Sequence, residues 1–333
     1  MFGARISQLA HFEVTTPDLA ASVAFYRDVL GMEVSAQKAG SVWLRGWGES
    51  FHHALQLTAG DAPGVAHIGW RAISEATLNA AAAMLEETEW GRGWVPATQG
   101  HGRAYRYVSP GGHSHEIFWE VDRFKPPAGQ EPFFPNRPQR FVPRGCAVLM
   151  IDHITIASTD VMADVAWYRD VMGHRFMEYT MGPEQAGMGD TVVFAMTTTC
   201  QRGHDLGIVL DGAGGTGRTN HIAFFHDGRD ELRRAAEVLL DQGIPIEFGP
   251  GKHGMGEQDY LYVREPGGMR VELNAGGYQN YEPDWQPVRW TPAQGSNVAF
   301  KNLGLPHSML DSIPPIQSAV PQARRRDLTG LFV

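Results

Sequence analysis

Cysteine is nearly absent from this chain. Of 333 residues only Cys146 and Cys200 carry a thiol, which excludes a disulfide framework and a thiolate zinc site and leaves histidine and carboxylate to hold any metal. Long apolar runs are missing too: none approaches the roughly 20 residues of a membrane span. The N-terminal MFGARISQLAHFEV passes straight into a strand-like pattern, with neither an apolar signal core nor a cleavage site. A soluble, cytoplasmic protein is the expectation. Positive charge is in deficit, with a net charge of -9, which argues against nucleic acid or an anionic membrane as partner. The short basic run Arg324, Arg325, Arg326 reads as a solvated tail segment.

What the chain does hold is a repeat. HFEVTTPDLAASVAFYRDVLGMEV from His11 aligns with HITIASTDVMADVAWYRDVMGHRF from His153 at an offset of 142, with ten of the 24 positions identical. VAHIGW around His67 then matches TNHIAF around His221, and SPGGHSHEIF around Glu116 matches EPGGMRVELN around Glu272. Each half is one copy of a unit, and the length alone favours two domains. In each copy a β-rich segment precedes an Asp at the N-cap position (Asp18, Asp160), an amphipathic helix, and a stop at glycine (Gly31, Gly173). Further strands follow, then a second helix, clearest from Arg229 to Gly243. Last comes a hairpin in which Pro266 to Gly268 turn YLYVRE into MRVELN. The expected class is α+β, with the order βαβββ repeated within each half. The Pro-rich stretch near residues 121 to 147 reads as an ordered linker, and the chain from about Gln286 as a less regular tail.

Three polar residues interrupt strands whose pattern favours apolar side chains: His153 in MIDHITIA, His221 in TNHIAFF and Glu272 in MRVELN. Any one of them alone is more often an ordinary strand residue. Together, two neutral imidazoles and one carboxylate are the facial triad of non-haem Fe(II), which leaves positions open for substrate and oxygen.

The spacing of Gly251, His253, Leu261, Tyr262, Glu265, Pro266, Gly268 and Glu272 fits the signature of the extradiol ring-cleavage dioxygenases. The whole chain resembles the two-domain, type I branch of the vicinal oxygen chelate superfamily, and the closing PVRWTPAQ is similar to the catechol 2,3-dioxygenases in particular. The resemblance implies tandem βαβββ repeats forming two vicinal-oxygen-chelate domains, each an open β-barrel-like sheet with flanking helices. Residues 1–147 would be a structural N-terminal domain with its linker, 148–290 a catalytic C-terminal domain and 291–333 a tail. It further implies that His153, His221 and Glu272 hold Fe(II), Mn(II) being the other ion this ligand set accepts. His204, in QRGHDLGIV, falls where the family keeps an uncoordinated acid–base histidine, and His253 and Tyr262 where it places partners of the substrate oxygens. The implied activity is oxygen insertion into a catechol beside its diol, giving a yellow semialdehyde. The implied partners are a small catechol and O2, and the implied assembly is a homo-oligomer.

Relatives acting on carboxylated catechols tend to place a basic residue just upstream of the GPG turn, where this chain has Phe248. With Met196 and Phe194, that predicts an apolar pocket for catechol or its alkyl- and aryl-substituted forms. Lys252 beside His253 is the one feature that speaks for an anionic substituent. The first half repeats the triad as His11, His67 and Glu116, with His53 opposite His204 and, allowing one gap, Tyr107 opposite Tyr262. In the resembled family that copy is normally inert. Two rivals remain at this stage: a 4-hydroxyphenylpyruvate dioxygenase-like enzyme, against which His253 and Tyr262 argue, and a metal-free aromatic-binding protein of the same fold, which would need neither iron nor oxygen.

Overall fold

In the computed structural model, which describes residues 5–299 and 305–314, each half is two βαβββ units in succession. The first runs β1 (Ile6–Thr16), α1 (Leu19–Ala24), β2 (Glu33–Lys38), β3 (Ser41–Arg45), β4 (Leu55–Ala59), then β5 (Gly64–Ala72), α2 (Glu75–Glu86), β6 (Gly91–Val95), β7 (Ala104–Val108) and β8 (Ser114–Phe118). The second runs β9 (Met150–Ser158), α3 (Val161–Trp167), β10 (Arg175–Met181), β11 (Val192–Thr198), β12 (Leu206–Leu210), then β13 (Arg218–Phe225), α4 (Arg229–Asp241), β14 (Ile246–Lys252), β15 (Gln258–Arg264) and β16 (Arg270–Gly276). The tail adds β17 (Val288–Trp290), which pairs parallel with β10. The basic run at 324–326 lies outside the described residues. No described helix is long and apolar enough to cross a membrane.

The local signals act as their chemistry requires. The Asp18 and Asp160 side chains accept from the backbone N–H of Ala21 and Ala163, satisfying donors that a helix start leaves orphaned. Each helix then widens into a π-turn, as when Leu30 N–H donates to Phe25 C=O at 3.0 Å, before the chain reverses at Gly31 or Gly173. Both glycines sit at positive φ, where a Cβ would be strained.

The sheets have the strand orders β2-β3-β4-β1-β5-β8-β7-β6 and β14-β15-β16-β13-β9-β12-β11-β10-β17. In both, the strand that opens each βαβββ unit lies at the middle, β1 beside β5 and β9 beside β13, so the two units of a half are joined back to back. The halves share one hydrophobic core, in which Phe12 and Tyr26 of the first pack edge-on against Phe224 of the second. Each hairpin turn reaches across the junction. Glu265 accepts from Ser22 Oγ at 2.6 Å beside α1, while Gly111 N–H donates to Asp164 of α3 at 3.0 Å. Glu265 also accepts from Met269 N–H within its own turn. The acidic position of the signature therefore anchors the hairpin that carries Glu272.

Candidate active site

Three adjacent strands, β9, β13 and β16, bring His153, His221 and Glu272 together inside the second sheet. All three are buried. His153 Nε2 and His221 Nε2 lie 3.0 Å apart, and Glu272 Oε2 is 3.1 Å from the first and 3.0 Å from the second. Metal–ligand bonds of about 2.1 Å at right angles place neighbouring donors about 3.0 Å apart. Both Glu272 oxygens are buried without a hydrogen-bond partner, an expensive arrangement unless a cation fills the point on which these atoms converge. The donor set thus fits a divalent metal ion.

The rings are held from behind. His153 Nδ1–H donates to Asp152 Oδ2 at 2.7 Å, and Asp152 is fixed in turn by Arg202 at 2.9 Å, Gln258 at 3.0 Å and Asn274 at 2.7 Å. His221 Nδ1–H donates to Asn220 Oδ1 at 2.7 Å, and the Asn220 amide donates to Met309 C=O of the tail at 2.9 Å. Tying down each Nδ1 proton leaves Nε2 with its lone pair turned to the centre. Burial disfavours a charged His153, but Glu272 and Asp152 outweigh it and lift its pKa to about 9. A metal must compete with that proton. Burial would raise Glu272, yet the two histidines hold it well below the ordinary carboxylate range.

Around this trio the structure collects the other residues singled out in the sequence. A cavity of ≈ 670 Å³ is lined by His204, His253, Tyr262, Phe248, Met196 and Phe194 as well as the trio. The His204 ring lies 4.1 Å from that of His153, and burial holds its pKa well below the ordinary value, so the imidazole is neutral at pH 7. His253 Nε2 is 3.1 Å from the Tyr262 hydroxyl and 3.8 Å from Glu272 Oε1, while its Nδ1–H donates to the Asn297 carbonyl. Tyr262 pairs directly with Glu272 across β15 and β16. Burial, and then the charge of Glu272, hold its phenol protonated. Lys252 does not line the cavity, and among the described residues neither does any other lysine or arginine.

One expectation needs amendment. Tyr107 is not the counterpart of Tyr262: the residue paired with Glu116 across β7 and β8 is Arg106, whereas Tyr107 pairs with His115 and stacks on its ring. Along a strand a shift of one residue exchanges the faces. The less regular tail contributes Ser296, Asn297, Leu305 and Met309 to the cavity. Asp152 and Asn220 join the site beside these residues, and the carboxylate or amide immediately before each strand histidine, in DH and NH, is the sequence signal for them.

Residues 8–120 and 150–273 match the Glyoxalase/Bleomycin resistance protein/Dioxygenase superfamily, and the chain belongs to it. Its relatives place it on the extradiol branch. It is 33% identical over 286 residues to a metapyrocatechase of Geobacillus stearothermophilus, covering 86% of both chains. It is 34% identical over 291 residues to a manganese-dependent 2,3-dihydroxybiphenyl 1,2-dioxygenase of Geobacillus genomosp. 3, covering 86% of this chain and 90% of that one. Among solved structures, homoprotocatechuate 2,3-dioxygenase from Arthrobacter globiformis superposes with a TM-score of 0.77 at 26% identity, over 92% of this chain and 91% of the other.

Proposed function

We propose that this protein is an Fe(II)- or Mn(II)-dependent extradiol dioxygenase that cleaves catechol or alkyl- and aryl-substituted catechols next to the diol. Both atoms of O2 enter the product, a 2-hydroxymuconic semialdehyde-type compound. The observation that carries this reading is the buried convergence of His153, His221 and the unpartnered Glu272 carboxylate at the floor of an apolar cavity. Fe(II) is our first choice of ion, and the manganese-dependent relative supports keeping Mn(II) beside it.

His153, His221 and Glu272 would hold the ion, which when bound supplies Lewis acidity toward the catechol oxygens and a site for O2. The remaining steps belong to the protein's own groups. With its Nδ1 proton committed to the Asn297 carbonyl, neutral His253 keeps Nε2 as an acceptor, 3.1 Å from the Tyr262 hydroxyl, and takes the proton of a catechol hydroxyl that displaces that contact. Tyr262, kept as a phenol, donates to the oxygen left negative. His204, neutral by burial, is placed to exchange a proton with the oxygen atoms being inserted. Phe248, Phe194 and Met196 line the space a ring would occupy and exclude water from it. Their apolar surface, together with the lack of a described cation in the lining, supports a neutral ring over a carboxylated one.

On this reading residues 148–290 form the catalytic domain, 1–147 its partner and 291–333 a tail, of whose described residues Ser296, Asn297, Leu305 and Met309 line the cavity. Exposed Phe133 and Phe134 on the linker are apolar surface suited to self-association. Anaerobic reconstitution with Fe(II) or Mn(II), followed by catechol in air, tests the activity. A yellow product with one O2 consumed per catechol is expected, and no product from a panel of catechols with either ion would overturn it.

A further inference from the structure

The first half holds a second constellation that ring cleavage does not use. His11 on β1, His67 on β5 and Glu116 on β8 occupy three adjacent strands, as the catalytic trio does. His11 Nε2 is 3.1 Å from His67 Nε2, and Glu116 Oε1 is 3.2 Å from the first and 3.3 Å from the second. All three are buried, and Glu116 Oε1, though encircled by imidazole nitrogens, makes no hydrogen bond of proper geometry. These are the same signs of convergence on one point as at Glu272.

We propose that His11, His67 and Glu116 bind a second divalent transition-metal ion, in a centre built for stability and closed to catechols. The donor separations match bonds of about 2.1 Å to one ion, and the imidazole–carboxylate set suits Zn(II), Mn(II) or Fe(II). Behind the second ring, His67 Nδ1 lies 2.7 Å from Glu13 Oε2, close to the carboxylate though outside hydrogen-bond geometry. Gly69 makes the space: a Cβ there would fall 2.2 Å from the His11 ring, whereas Ala223 occupies the matching position of the second half.

What differs is the side on which a substrate would lie. Arg106 takes the strand position of Tyr262 and binds Glu116 Oε2 at 2.9 Å. His101 closes on the same carboxylate, its Nε2 3.0 Å from Glu116 Oε1 and 2.9 Å from Thr98 Oγ1, with its ring stacked on Phe118. The neighbouring cavity is ≈ 190 Å³ against ≈ 670 Å³ at the catalytic centre. The site therefore has a ligand set, with Arg106 and His101 standing on the side of the carboxylate from which a ring would approach.

Metal analysis of desalted protein after loading with Mn(II) or with Zn(II) tests this without reference to turnover. Wild type is expected to hold two ions per chain and Glu272→Ala one, and adding either ion should raise the melting temperature of Glu272→Ala. Adding His11→Gln to that variant should remove the last ion and the thermal shift. A wild-type count of one, or a Glu272→Ala chain that keeps none and does not respond to either ion, would overturn the proposal even if His11→Gln fails to fold.

Discussion

The two halves present the same three ligand positions on the same three adjacent strands, yet their surroundings diverge at nearly every other point. Behind the first histidine the second half has Asp152, itself held by Arg202, where the first half has Ala10. Beside the carboxylate it has Tyr262 where the first half has Arg106. Over the ion position the second half keeps His253 at 3.8 Å from Glu272, with a cavity between them and solvent, whereas the first half brings His101 to 3.0 Å from Glu116. Strand pairing in this fold delivers a two-histidine, one-carboxylate cluster to each half. Chemistry depends on neighbours that leave room for a ring and supply groups able to carry protons.

That contrast can be broken in order of expected effect. His204→Phe should lower turnover about 10²- to 10⁴-fold, the usual range for losing a general acid–base group, while metal content stays at the wild-type value. His53→Phe, at the corresponding place in the first half, should leave turnover unchanged. Steady-state kinetics with metal analysis checks both, and an unaltered rate in His204→Phe would remove that residue from the mechanism. Asp152→Ala, which makes the second half resemble the first at Ala10, should cost about 10- to 100-fold in metal affinity or activity through loss of the ring's orientation. A metal titration of the variant measures it.

Phe248→Arg should shift kcat/KM toward carboxylated catechols and away from catechol itself, by roughly 10-fold for each, because the cation would meet a carboxylate in a buried apolar wall. Competition between the two substrates reads the ratio. The last effect concerns stability rather than turnover. Burial lowers the pKa of His226 to about 4, its Nε2–H donating to Cys146 C=O, and the first half has Ala72 at the matching position. The unfolded chain takes up this proton below the usual value near 6.5 and the folded chain only near 4. This contribution is therefore present above pH 6.5 and lost as pH falls through 4, by on the order of 3 kcal/mol. Urea midpoints at pH 7 and pH 4.5 should drop less in His226→Ala than in wild type.

Much of this was legible in the residues alone, and the reason differs from feature to feature. The repeat, the Asp18 and Asp160 caps and the Pro266–Gly268 hairpin are encoded locally, so short patterns display them. The trio showed itself because each member breaks an apolar strand. The support behind it did not: Asp152 meets Arg202 and Gln258, and Asn220 meets Met309, across separations of 50 to 106 residues, which no local pattern records. The exchange of Tyr107 for Arg106 turned on a single residue of register, and an alignment that permits a gap cannot resolve a face that alternates with every residue. Leu305 and Met309 reach the cavity from a stretch without periodicity, where only the folded chain displays their role.

The central claim is that ring cleavage resides in the second half alone. The most direct test is to measure catechol cleavage by Glu272→Ala and Glu116→Ala side by side, each loaded with Fe(II) and assayed for yellow product and oxygen uptake. The account predicts no detectable cleavage by the first and turnover near the wild-type value by the second. Cleavage retained by Glu272→Ala would contradict it.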